Sequence, residues 1–264
     1  MKQERPQASD YSRYFSIRQK AYLINVSEKR DRDRYDSISG YIVSCRGNII
    51  ELQIPYITEL EPPGAAVDTV TYKLTTESLG VGLQMVADLI QISDGALFQL
   101  QLRGSLEIYQ RRQNPRIDIS FHTLRHQLDH SLASYLKEFK RMKTILHTRK
   151  ETLPATFKLQ ELPINLSAGG IRLIDDINEL VSPLSMFFID VQDNLPPVCA
   201  VAELVWNRVE DGKRISGYRF IHILKNDQER IGRCVQGVQK KSGMTATTPQ
   251  VNWELMDRMT YELS

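Results

Sequence analysis

The chain has 264 residues, 41% hydrophobic and 25% charged, ordinary values for a folded protein of one large or two smaller domains. Its 34 lysines and arginines oppose 32 aspartates and glutamates, a net charge of +2, so a general polyanion binder is disfavoured and any anion site should be local. Cys45, Cys199 and Cys234 are odd in number and lack a CxxC pair, so they indicate neither a disulfide framework nor a zinc knuckle. The polar start "MKQERPQASD" has no apolar signal core, and no stretch approaches the roughly 20 apolar residues of a membrane span. Reduced thiols, a cytoplasmic location and no integral membrane segment are the expectation.

In chain order, the first hundred residues read as strands. "AYLINVS", "SISGYIVSC", "NIIELQIPY" and "TVTYKLTT" are short, β-branched or aromatic, and bounded by polar or Gly/Pro segments. The charge-balanced run "SEKRDRDRYDS" at 27–37 reads as a solvated hairpin loop. Over 81–102, "SDGA" at 93–96 supplies a hairpin turn, and the alternation changes phase near Leu89, which points to a bulge or a change of buried face. Many short strands with regular turns suggest a small barrel or sandwich.

Residues 103–116 form a joint, followed by strand-like alternation at Ile117, Ile119 and Phe121. Leu124, Leu128, Leu132, Tyr135, Phe139, Met142 and Leu146 then recur every three or four residues, predicting a helix over about 122–148. Its stripe suits a short coiled-coil seam, and Lys137, Lys140, Arg141 and Lys143 make the opposite face basic. Strand character returns from "ATFKLQELPINL" to "RISGYRFIHIL". Helical spacing follows at Ile231, Val235 and Val238, and the tail at 242–264 ends in a candidate short helix.

Two motifs carry chemistry. In "YQRRQNPRIDISF" at 109–121, Arg111, Arg112 and Arg116 concentrate fixed positive charge at the joint, where Pro115 holds Asn114 extended. Guanidinium groups match phosphate oxygens, stack on flat rings and pair with guanine, so such a cluster could hold a ligand with both groups. In "INLSAGGIRL", Asn165, Ser167, Gly169 and Gly170 place short polar side chains and small residues at a strand end, where a ligand can approach closely. Taken singly, one motif is a basic turn and the other a turn between strands.

Together, and in this order, they resemble the PilZ domain, the bacterial receptor module for cyclic di-GMP, with its RxxxR and (D/N)xSxxG motifs on a six-stranded barrel. Arg112 and Arg116 match the first motif, with Arg111 preceding it, and Asn165, Ser167 and Gly170 match the second. The resemblance covers about 109–240, and the preceding β-rich region resembles the companion barrel of flagellar-brake proteins. It implies a mainly β chain of two small β-barrels: an N-terminal barrel over 1–108, a PilZ domain over 109–241 with a helical insertion at about 122–148, and a tail over 242–264. It also implies a non-catalytic cyclic di-GMP receptor, with Arg111, Arg112, Arg116, Asn165, Ser167, Gly169 and Gly170 as ligand-binding residues. Arg111 favours an intercalated ligand dimer. Binding at the joint would reorient the two domains and control a protein partner, such as flagellar motor or polysaccharide machinery, in motility or surface attachment. The inserted helix is expected to serve as a homodimerisation arm in preference to packing on its own barrel.

Other signals are weaker. His122, His126 and His130 share a face if helical, but no cysteine completes a metal set, so no metal is expected. Trp206 reads as packing within a strand. No GxSxG elbow or GxxxxGK[ST] loop is present, which weakens an enzymatic reading, and no cofactor is expected. A PilZ-like scaffold that binds no nucleotide is the alternative. Single-stranded RNA binding is opposed by the near-neutral charge.

Overall fold

The computed structural model describes residues 3–4, 11–26, 34–56, 70–78, 81–94, 96–109, 114–128, 131–149, 153–154 and 157–241. Its described residues form two compact units, one drawn from the strands before Gln113 and one from Arg34–Asp36 together with Asn114 onward. Both are closed six-stranded antiparallel barrels, as expected for a mainly β chain. Arg111, Arg112, His130 and the tail from 242 lie outside the described residues.

The first unit contains β1 (Gln3–Glu4), β2 (Lys20–Asn25), β3 (Arg34–Arg46), β4 (Ile49–Gln53), β5 (Thr71–Ser78), β6 (Val81–Ser93) and β7 (Leu97–Tyr109). Strands β7, β6, β5, β2, β3 and β4 pair in that order, and β4 returns to β7 to close the barrel. Alternation buries Leu23, Ile42, Ile50, Leu52, Leu74, Leu83, Phe98 and Leu100. The phase change at Leu89 is a register shift between Leu89 and Gln91, after which Ile90 is exposed and Ile92 buried. The extra residue moves the apolar set back onto the inner face.

The second unit contains β8 (Ile117–His126), α1 (Leu132–Arg149), β9 (Gln160–Ser167), β10 (Gly170–Asp176), β11 (Leu184–Ile189), β12 (Val198–Glu210), β13 (Lys213–Leu224) and α2 (Lys225–Lys241). Its barrel runs β13, β10, β9, β8, β11, β12 and back to β13. Residues 34–36 extend the end of β13 through pairs such as His222 with Asp36. Ile117, Phe121, Leu166, Ile171, Phe187, Ala200 and Phe220 fill the interior, and Ile231 and Val235 of α2 join that core.

The helix begins later than its leucine spacing predicts. Residues 122–126 continue β8, with Leu124 paired to Phe188 and His126 to Met186 across β11. Leu124 and Leu128 fit a helical period by coincidence, and sheet pairing decides their conformation. From Leu132 the stripe is real, but it does not serve as a free dimerisation seam. Leu132, Tyr135, Phe139, Met142 and Leu146 are all buried, and α1 packs against β11 and β12 of its own barrel. The Tyr135 hydroxyl donates to the Leu184 carbonyl at 2.8 Å and accepts the Leu128 N–H at 2.8 Å. Phe139 meets His222 edge to face at 4.5 Å. This cover explains why all six residues of β11 are buried, since the strand has protein on both faces.

Charged side chains tie the helices together. Lys143 donates to Asp227 at 2.7 Å, Arg230 donates to the other oxygen of Asp227 at 2.9 Å, and the same guanidinium grips Asp193 with two bonds of 2.7 Å. The expected basic face of α1 is thereby reduced: Lys143 is engaged, Arg141 pairs with Glu138, and Lys137 and Lys140 remain exposed. Among the described residues, no helix is long and apolar enough to cross a membrane.

Candidate functional site

The stretch 165–170 forms a two-residue hairpin. Ser167 pairs with Gly170, and Ala168 and Gly169 make the turn between β9 and β10. Its tip is anchored, since the Gly169 carbonyl accepts the Phe220 N–H at 3.0 Å and the Ala168 carbonyl accepts the Gln228 amide at 3.1 Å. The two glycines provide space more than handedness, because neither has a positive φ. A Cβ on Gly170 would overlap the Tyr218 carbonyl oxygen and sit 3.1 Å from Cα of Arg219, so β10 approaches β13 too closely for any side chain there. A Cβ on Gly169 would lie 3.1 Å from Nδ2 of Asn114, which places the end of the joint against the hairpin.

Arg116 is brought to the same place. Ile117 pairs with Leu166, so one step further in this antiparallel register Arg116 falls beside Ser167. The Arg116 carbonyl accepts the Gln239 side-chain amide at 3.3 Å, and its own side chain is exposed. Ser167 is buried, and its hydroxyl donates to the Gly170 carbonyl at 3.3 Å. That residue braces the hairpin across its own turn. Arg111 and Arg112 lie outside the described residues.

Because core residues Ile117, Leu166 and Ile171 point inward, Asp118, Asn165 and Arg172 occupy the outer face. They stand in one cross-strand row, Asp118 opposite Asn165 and Asn165 opposite Arg172. The Asn165 amide donates to Oδ1 of Asp118 at 3.0 Å, and Arg172 donates to the same oxygen at 2.8 Å. The row continues through Gly217, paired with Arg172, to Trp206, paired with Gly217. The indole lies over Gly217, where a Cβ would come within 2.5 Å of the ring. Trp206 is 38% exposed, with the Arg208 guanidinium 5.5 Å from its ring centre. This tryptophan is therefore on the surface and not a core-packing residue. Asp118, Arg172, Trp206 and Arg208 were missed because motif matching does not reveal cross-strand register; counting outward positions back from Asn165 could have found them.

The face offers exposed guanidinium groups, an amide and an indole, which suits an anion bearing a flat ring. Elsewhere in the barrel, Arg125 sits between Asp175 at 2.6 Å and Glu179 at 2.5 Å, with the Tyr218 hydroxyl 3.3 Å away. Burial raises the pKa of Asp175 above the ordinary carboxylate value, with Arg125 opposing that shift. Neither His122 nor His126 is helical, and burial lowers the pKa of His126. No cluster able to hold a metal occurs among the described residues.

Residues 110–237 match the PilZ domain. Among solved structures, the chain is similar to the inhibitor of motility MotI/DgrA of Bacillus subtilis at 13% identity, covering 86% of this chain and 99% of that one, with a TM-score of 0.35. It is also similar to a Xanthomonas campestris protein described as a tetrameric PilZ domain, at 12% identity over 51% of this chain and 94% of that one, TM-score 0.35. Escherichia coli YcgR, solved in complex with c-di-GMP, is 12% identical over 84% of this chain and 85% of that one, TM-score 0.33. A comparison with the curated proteins finds no match.

Proposed function

The chain is a PilZ-domain protein, its domain lying within residues 110–237, and from that premise we propose that it is a non-catalytic receptor for cyclic di-GMP. The observation that carries the reading is the register that sets Arg116, the last arginine of the first motif, beside the 165–170 hairpin of the second. A ligand phosphate draws on Arg116 and on the arginines that precede it, Arg111 and Arg112. A guanine base meets the Asn165 amide, and Gly169 and Gly170 keep the hairpin low enough for close approach. Ser167 holds the hairpin in shape through its bond to the Gly170 carbonyl. Trp206 and Arg172, in the same row, extend the surface on which a flat base can rest. Arg111 supplies a further cation for a second, intercalated ligand molecule.

The segment 110–116, the part of the joint between β7 and β8, connects two barrels in sequence, so drawing its arginines onto the second barrel changes the constraint on the first. The ligand drives this only through higher affinity for the drawn-in arrangement. A protein partner, in motility or surface attachment, reads the result. Calorimetric titration of the full chain with cyclic di-GMP, with GTP as control, tests the reading. Saturable binding of cyclic di-GMP alone supports it, a ratio of two ligands per chain supports the intercalated pair, and no binding overturns it.

A further inference from the structure

We propose that Asp118 aims the Asn165 amide and thereby sets the base preference of the site, a proposal that rests on the cyclic di-GMP reading and deepens it. An asparagine has a donor end and an acceptor end of nearly equal shape, so by itself it does not discriminate between a base edge that donates and one that accepts. An ionised aspartate only accepts. Asp118 therefore requires the NH2 end of Asn165 to face it, as observed in the 3.0 Å bond from Nδ2 to Oδ1. The carbonyl end of Asn165 is turned away from Asp118. A flip of the amide would put two acceptor oxygens in contact and forfeit the bond.

Fixed in this way, Asn165 presents an acceptor. The Watson–Crick edge of guanine offers two adjacent donors, N1–H and the N2 amino group, which satisfy it. Adenine offers one donor there, the N6 amino group, beside a bare acceptor at N1, so the same carbonyl gains one bond in place of two and meets a ring lone pair. Arg172 donates to the same Asp118 oxygen at 2.8 Å, which holds the carboxylate in place and offsets its charge beside an anionic ligand. The fold has little use for the carboxylate: the Asp118 side chain is 75% exposed, and backbone pairs from Ile117–Leu166 to Thr123–Gln160 hold β8 to β9.

The test is the ratio of affinities for cyclic di-GMP and cyclic di-AMP, measured by calorimetry on the full chain and on two variants. In Asp118→Asn the amide of Asn165 is free to turn, and the guanine preference should fall about tenfold, the worth of one oriented hydrogen bond. Removing a negative charge strengthens binding of both dinucleotides alike and cancels from the ratio. In the swapped variant Asp118→Asn with Asn165→Asp, the carboxylate at 165 accepts in either orientation, and the preference should return. An unchanged ratio in Asp118→Asn, with wild type still preferring cyclic di-GMP, overturns the role of Asp118 and leaves the receptor reading intact. Failure of the wild type to bind cyclic di-GMP overturns the receptor reading itself, and this proposal with it.

Discussion

Gly170 and the Tyr218 carbonyl oxygen are packed so closely that a Cβ on the glycine would overlap that oxygen. The last glycine of the (D/N)xSxxG motif is thus a packing requirement between β10 and β13, whatever part the hairpin plays in binding. Gly170→Ala should force the strands apart and lower stability by about 1–3 kcal/mol or more, the range for overpacking. Gly169→Ala meets only the end of the flexible Asn114 side chain and should cost under about 1 kcal/mol. Urea unfolding of the two variants checks the contrast; equal stability in both would contradict it.

The stripe of α1 packs on its own barrel, so its large residues should report as stability. Phe139→Ala should cost about 3–5 kcal/mol. Tyr135→Phe loses the bonds to Leu184 and Leu128, each worth about 1 kcal/mol. Chemical denaturation measures both. A change in assembly state at unchanged stability would mean that the helix serves another chain instead.

The Arg230 guanidinium beside Asp193 holds that carboxyl below its ordinary pKa. A depressed folded-state value stabilises the fold above the ordinary carboxylate value, and that contribution is lost as pH falls through the lower folded value. The melting-temperature gap between wild type and Asp193→Asn should therefore persist at neutral pH and close below about pH 4. Arg230→Ala, which strips the nearly buried Asp227 of one partner, should cost about 3–5 kcal/mol at neutral pH.

Trp206 lies on the outer face in the row that contains Asn165, and Trp253 is the other tryptophan of the chain. In a Trp253→Phe background, cyclic di-GMP should change the indole emission by bringing a base near the ring. Emission that stays constant through saturation would place the ligand away from this row.

Much of the barrel could be read from its residues. The alternation of Ile117, Ile119 and Phe121 on β8, the bulge at Leu89 and the helix from Leu132 all express local periodicity, which sequence carries directly. Leucine spacing places the helix start too early because Leu124 and Leu128 fit a helical period, whereas pairing with Phe188 and its neighbours makes 122–126 a strand. The motif residues were legible as types and spacing. Their mutual arrangement was not, since only register reveals that Arg116 falls beside Ser167 and that Asp118 and Arg172 flank Asn165. The burial of Ser167 was likewise hidden, because spacing tells which face of a strand a residue occupies and not what covers it there.

The account depends most on the arginines of the joint and the 165–170 hairpin holding one ligand between them. Calorimetric titration of Arg112→Ala and Arg116→Ala with cyclic di-GMP, beside wild type, measures this directly. Each variant should lose about 1.5–3 kcal/mol of binding free energy, the worth of a charge-assisted contact, and Ser167→Ala should lose less. Wild-type affinity in both arginine variants would contradict the account.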